Sequence, residues 1–313
     1  MKRFSASPIP TRINLVIAGT TIAVNTAALL ILPALGSIVP WGLAATAGAA
    51  ALLTPTHWAL IHEGIHGLLL PGRVANERLA RVLAILFGVP FRAVRFAHLR
   101  HDRYNRTPWG REEVYDAATR SWPIACLQHY LRITFGLYVG ELALSLLCWL
   151  PRRVLRARLA PLCPDLRDGS GSMIAVAQRD VLGASALAQI RLDAACVVAL
   201  YGGAFLLYGA RWSILIAMLL VRAFISSQLD HAPHHDTPLD RRDHALNLSA
   251  PRWLQCVLLN FNFHRAHHQH PNLPWRVLLT RASFERGDTS FVRAVLRQWR
   301  GPIALHCARR ETN

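Results

Sequence analysis

The stretch from Ile38 to His66, IVPWGLAATAGAAALLTPTHWALIHEGIH, decides how the rest of the chain is read. Residues 38–60 contain no Asp, Glu, Lys or Arg. As a helix rising about 1.5 Å per residue, they are long enough for a hydrocarbon core of about 30 Å. Directly beyond comes His62-Glu63-Gly64-Ile65-His66. Residues four apart share one helix face, so both rings point the same way. Neutral imidazole suits Fe, Zn and Cu, so the stretch predicts a membrane span leading into a metal site at the membrane surface.

On the N-terminal side, residues 13–35 form an equally apolar span, separated from the first stretch by Gly36 and Ser37. The two read as a hairpin with both outer ends on the basic side. Lys2, Arg3 and Arg12 precede a long apolar run, so the N-terminus reads as a retained span and not a signal peptide. Residues 71–128 carry ten arginines, which the positive-inside tendency places in the cytoplasm. Leu79–Phe91 is too short to span and reads as an interfacial or buried helix.

Three apolar stretches follow: 131–150, 192–209 and 212–230. If all histidine clusters join one site, an even number of crossings separates His101 from His231, so one stretch does not cross. Residues 131–150 carry Arg132 and Glu141 and run into Arg152, Arg153, Arg156 and Arg158, which suits an interfacial helix. Gly209, Ala210 and Arg211 turn the other two into a second hairpin. The expected fold is all-α: one membrane-embedded domain, residues 1–313, with four spans (13–35, 38–60, 192–209, 212–230) and a cytoplasmic helical cap. Both termini and every histidine cluster fall on the cytoplasmic side, as in a bacterial inner-membrane protein.

The net charge of +17 would point to nucleic acid in a soluble protein. Here the arginines fill loops between apolar segments, with no RNA-binding motif and no basic patch interleaved with aromatics. Cytoplasmic loops near anionic lipid explain them more simply. Cys126, Cys148, Cys163, Cys196, Cys256 and Cys307 are scattered without a Cys-x-x-Cys pair, which supports neither a disulfide framework nor a thiolate metal site.

Eleven of the fifteen histidines fall in four clusters, and the second is His98-Leu99-Arg100-His101 followed by Asp102. The third is His231-Ala232-Pro233-His234-His235, preceded by Asp230; the fourth is His264-Arg265-Ala266-His267-His268, with His270 beyond. Spacings of three and four recur throughout. About eight imidazoles are too many for one mononuclear site and suit two neighbouring metals. Glu63 suits a supporting role, accepting the free N–H of a ligating imidazole. His57 reads as a helix-packing residue, and His129 and His244 as surface residues.

The first two clusters, together with Asn262-Phe263-His264-Arg265-Ala266-His267-His268-Gln269-His270-Pro271-Asn272-Leu273-Pro274-Trp275, resemble the three histidine boxes of membrane fatty acid desaturases. Arg222 and Asp230-His231 are similar to the family's segment at the end of the last span, and the resemblance covers roughly residues 40–280. It implies a non-haem di-iron centre using O2 on unactivated C–H bonds of a lipid, most directly as an acyl desaturase. A ferredoxin or cytochrome b5 would supply electrons. By position, His62, His66, His98, His101, His231, His264, His267 and His268 match the family's ligands. Asp102 stands where the second box usually has a further histidine. It could ligate iron, orient His101 or leave the metal short of a ligand; His234 or His235 could compensate, with Asp236 as a supporting acceptor.

A hydroxylase or ketolase of a lipid, alkane or terpenoid would use the same boxes. His62-Glu63-x-x-His66 also matches a zinc-protease motif, which would leave the other clusters unexplained. A haem protein needs axial ligands opposed across a bundle, unlike doublets and triplets at one membrane face. A metal transporter would carry polar residues at mid-membrane depth, where these spans have almost none.

Overall fold

The computed structural model describes residues 8–35, 40–169, 171–285 and 287–308. The turn read at Gly36 and Ser37, and Lys2 and Arg3, lie outside these residues. Helix α1 spans Thr11–Ala34. The second apolar stretch is two helices, α2 (Pro40–Leu52) and α3 (Thr54–His66). Pro55, in the first turn of α3, has no N–H to continue the hydrogen-bond ladder, which accounts for the break. Helix α3 ends at Gly67, whose φ of 77° is the left-handed cap that glycine adopts without strain.

Helices α4 (Arg73–Phe87) and α5 (Phe91–Tyr104) meet at 95°. Gly88, with φ of 103°, closes α4, and Pro90 precedes the first residue of α5. A Cβ at Gly88 would lie 2.8 Å from Leu142 Cδ2, so glycine also sets the close approach here. Leu83, Ala84 and Phe87 bury one face of α4 against Leu60 and Ile61 of α3. The segment around Leu79–Phe91 is thus a partly buried helix, one of the two forms expected. The bend swings α5, with His98 and His101, beneath the end of α3.

Helix α6 spans Trp122–Leu147, α7 Arg152–Leu159, α8 Ala184–Tyr208 and α9 Trp212–His231. Helices α8 and α9 fold back on each other at Gly209, which brings Arg222 Nη1 to 2.9 Å from the Tyr201 hydroxyl it donates to. That hairpin matches the sequence expectation. By length and composition, three apolar stretches among the described residues could cross a membrane: α1, α6 and the α8–α9 segment. The helix read over 131–150 begins at Trp122 and, by length and composition alone, is also long and apolar enough to span. Its Arg132 is neutralised by Glu112, and Glu141 is buried. The contacts of α6 nevertheless place its middle and the residue just beyond its C-terminus near the open end of the hairpin. Gln228 Nε2, near the end of α9, donates to Ile133 O at 2.7 Å. Arg191, near the start of α8, donates to Cys148 O at 3.1 Å.

Arg222 lies fully buried among these helices, donating to Asn25 Oδ1 at 2.6 Å and to the Leu86 and Phe87 carbonyls at 3.4 Å. It satisfies carbonyls at the end of α4 and joins α9 to α1 and α4. Beyond α9 the chain forms a cap with the six-residue helix α10 (His264–Gln269) and α11 (Phe291–Gln298). Two parallel pairs of two-residue strands fasten it: β1 (Val114–Tyr115) with β4 (Ile303–Ala304), and β2 (Leu248–Ser249) with β3 (Thr289–Ser290).

Candidate metal centre

Helix α3 enters the site already fixed by its neighbour. A Cβ at Gly64 would collide with Ala80 Cβ of α4, so the glycine between His62 and His66 permits a backbone contact that a larger residue would prevent. Helix α10 is too short to be stable alone and is held by tertiary bonds. Asn247 Oδ1 accepts from the Ala266 N–H at 3.2 Å, while Arg265 clasps Asp288 through Nη1 at 2.9 Å and Nη2 at 2.6 Å.

These braces bring eight imidazoles into two adjacent quartets. The first is His62 and His66 from α3, His98 from α5 and His267 from α10. The second is His101 from α5, His264 and His268 from α10, and His234 from the turn after α9. The nitrogens face one another: Nε2–Nε2 distances are 3.2 Å for His62–His267 and 3.1 Å for His66–His98. In the second quartet they are 3.1 Å for His101–His234, 2.8 Å for His234–His264 and 3.2 Å for His264–His268. His98 and His101, one from each quartet, stack with ring centroids 6.0 Å apart.

Burial, aided by the His101 ring, pushes the His98 imidazole down to about 3. Burial also pushes His268 down to about 3, although Asp102 pulls the other way. His234, His264 and His267 are lowered by the same two causes, burial first and neighbouring rings second. Neutral imidazole is the form that offers a nitrogen lone pair. Such nitrogens can pair among themselves only if some of them carry the proton, whereas a cation takes all four lone pairs together. Imidazole nitrogens placed tetrahedrally at about 2.0–2.1 Å from one ion lie roughly 3.3–3.4 Å apart. The spacings found are close to that, so the donor set fits two metal ions.

Seven of the eight positions expected from sequence come together in the quartets, and His231 does not. It is the last residue of α9, and its ring lies 5.8 Å from that of His129. His234, in the turn that follows, occupies the place expected for it. His231 instead approaches Asp230 and Glu112. His235 points away too, its Nε2 3.1 Å from Gly301 O. Asp236 lies 3.8 Å from Arg297 Nη1, and Glu63 Oε2 accepts from the backbone N–H of Trp275 at 3.2 Å.

Asp102 lies between the quartets. Its Oδ2 is 3.5 Å from both His66 Nε2 and His98 Nε2, and its Oδ1 is 3.9 Å from His268 Nδ1. Oδ1 is buried with no hydrogen-bond partner. With the imidazoles neutral these are not ion pairs. His57 packs in the helices as expected, with Nε2 2.8 Å from Leu83 O. His129, read as a surface residue, is buried with Nε2 2.8 Å from Gln298 O of α11. Nothing in its local sequence signals a partner so distant along the chain.

A cavity of about 420 Å³ reaches both quartets at His66, Asp102 and His268. Leu99, Met173 and Val176 form apolar walls, with Arg103 and Arg242 also lining it. The sequence model of the fatty acid desaturase family matches residues 16–283, which includes both quartets and Asp102. A search of curated proteins finds no match.

Proposed function

Because the chain belongs to the fatty acid desaturase family, we propose that it is a membrane-bound, O2-dependent oxidoreductase carrying two non-haem irons and desaturating a fatty acyl chain. The observation that carries this reading is the pair of adjacent all-imidazole quartets. The overall reaction balances as –CH2–CH2– plus O2, two electrons and two protons giving –CH=CH– and two waters. The irons would supply O2 reduction and removal of hydrogen from the unactivated C–H bonds.

The chain's own residues have distinct tasks. His62, His66, His98 and His267 would hold one iron, and His101, His234, His264 and His268 the other. Asp102 would add negative charge beside both. The Arg265–Asp288 clasp and the Gly64–Ala80 contact keep three supporting helices in register, which metal geometry demands. Leu99, Met173 and Val176 give an acyl chain an apolar path to the centre and limit water there.

In the bilayer, α1, the α2–α3 segment, α8 and α9 would make four crossings. Helix α6, whose middle and C-terminal end contact the open end of the α8–α9 hairpin, would lie along the cytoplasmic interface. Both termini and the metal centre would then face the cytoplasm of a bacterial cell. The arginine-rich cap suits a negatively charged one-electron carrier such as a ferredoxin or cytochrome b5.

Expression in a bacterial host with a compatible reductase, followed by mass spectrometry of total fatty acids, tests the reaction. New double bonds that disappear in His267→Ala are expected. Hydroxylated or keto products instead would assign the same centre to a hydroxylase or ketolase.

A further inference from the structure

A second cavity, of about 450 Å³, opens between the end of α6, α7 and the start of α8. Leu144, Leu147, Leu155, Leu187 and Ile190 are among its walls, and none of the eight quartet imidazoles lines it. Such a volume falls in the range of small-molecule sites, about 300–1,000 Å³. Water gains little from a space with so few polar partners.

The mouth of the cavity has different chemistry. Arg158 is the one charged residue lining it, and it makes no hydrogen bond or ion pair among the described residues. Helix α7 also carries Arg152, Arg153 and Arg156, all exposed, and residues 149–164 contain no Asp or Glu to offset them. Beside α7, Trp149 is exposed, with the Arg191 guanidinium 6.0 Å from its ring. Exposed Trp next to arginines is the pattern of a membrane–water interface, with the charged heads reaching out to water or headgroups.

We propose that this cavity holds an acyl chain of an anionic bilayer phospholipid, with its phosphate-bearing headgroup against Arg158 and its neighbours on α7. The apolar walls favour a chain. The uncompensated arginines favour a negative headgroup over a zwitterionic one. The absence of quartet residues from the lining separates this lipid from a substrate undergoing oxidation.

The test is native mass spectrometry of the delipidated full-length protein in detergent, titrated with palmitoyl-oleoyl phosphatidylglycerol or with phosphatidylcholine of the same chains. One phosphatidylglycerol should be retained per chain at concentrations where phosphatidylcholine is not. Arg158→Ala, an exposed change, should weaken retention about fivefold, which corresponds to the usual effect of one arginine near an anionic surface. Leu187→Trp should abolish it by filling the cavity. Equal retention of the two lipids, or unchanged retention in Arg158→Ala, would overturn the proposal. So would one-for-one displacement by palmitate, which would assign the cavity to a free fatty acid. Iron content of the same samples reports folding of Leu187→Trp and keeps this test separate from the metal centre.

Discussion

His234 and His264 face each other Nε2 to Nε2 at 2.8 Å, bridging the turn after α9 to helix α10. That contact, and not one from His231, completes the second quartet. His234→Ala should therefore lower bound iron from two per chain to about one, whereas His231→Ala should leave two. Elemental analysis of the purified variants distinguishes them. The reverse pattern would show that the turn rearranges when metal binds.

Asp102 sets its carboxylate 3.5 Å from two ring nitrogens of the first quartet. Asp102→Asn keeps the shape and removes the negative charge. A negative charge favours ferric over ferrous iron, so its loss should raise the midpoint potential of the bound irons. Supporting carboxylates of this kind commonly affect metal affinity by about 10–100-fold, and the variant should load iron correspondingly more weakly. A redox titration showing no change of potential would place Asp102 outside the metals' influence.

The Gly64–Ala80 contact makes a prediction that needs no metal chemistry. Gly64→Ala should cost about 1–3 kcal/mol by overpacking, seen as a lower melting temperature in detergent. Adding Ala80→Gly should recover part of that loss, because the two sites share one contact. Strictly additive losses would mean that the helices accommodate the methyl group elsewhere.

Arg222 bonds to Asn25, Tyr201 and two backbone carbonyls in a fully buried setting. Arg222→Met keeps much of the volume and strands those acceptors. A destabilisation of about 1–3 kcal/mol for each neutral acceptor left unpaired is expected. Thermal unfolding checks it, and iron per folded chain should stay the same.

Much of this was readable in the sequence because apolar length and histidine spacing are local signals. The α8–α9 turn followed from Gly209-Ala210-Arg211, and the pairing of His62 with His66 from helical period. What was not readable depended on where helices stop and what they meet. His231 and His234 are one turn apart, and only the end of α9 at His231 decides which ring faces the quartet. Helix α6 begins at Trp122, nine residues before the apolar stretch, and Arg132 within it pairs with Glu112 from a separate segment, neither of which composition shows. The strands, two residues each, are too short to show any periodicity. The backbone N–H of Trp275 that donates to Glu63 comes from far along the chain, where sequence spacing gives no sign of it.

The most direct measurement is metal per chain, by elemental analysis of full-length protein purified in detergent from iron-replete cells. About two irons per chain with little zinc are expected, falling to about one in His234→Ala. A single zinc per chain that iron reconstitution cannot replace would contradict a di-iron centre and leave a zinc hydrolase as the better reading of the first quartet.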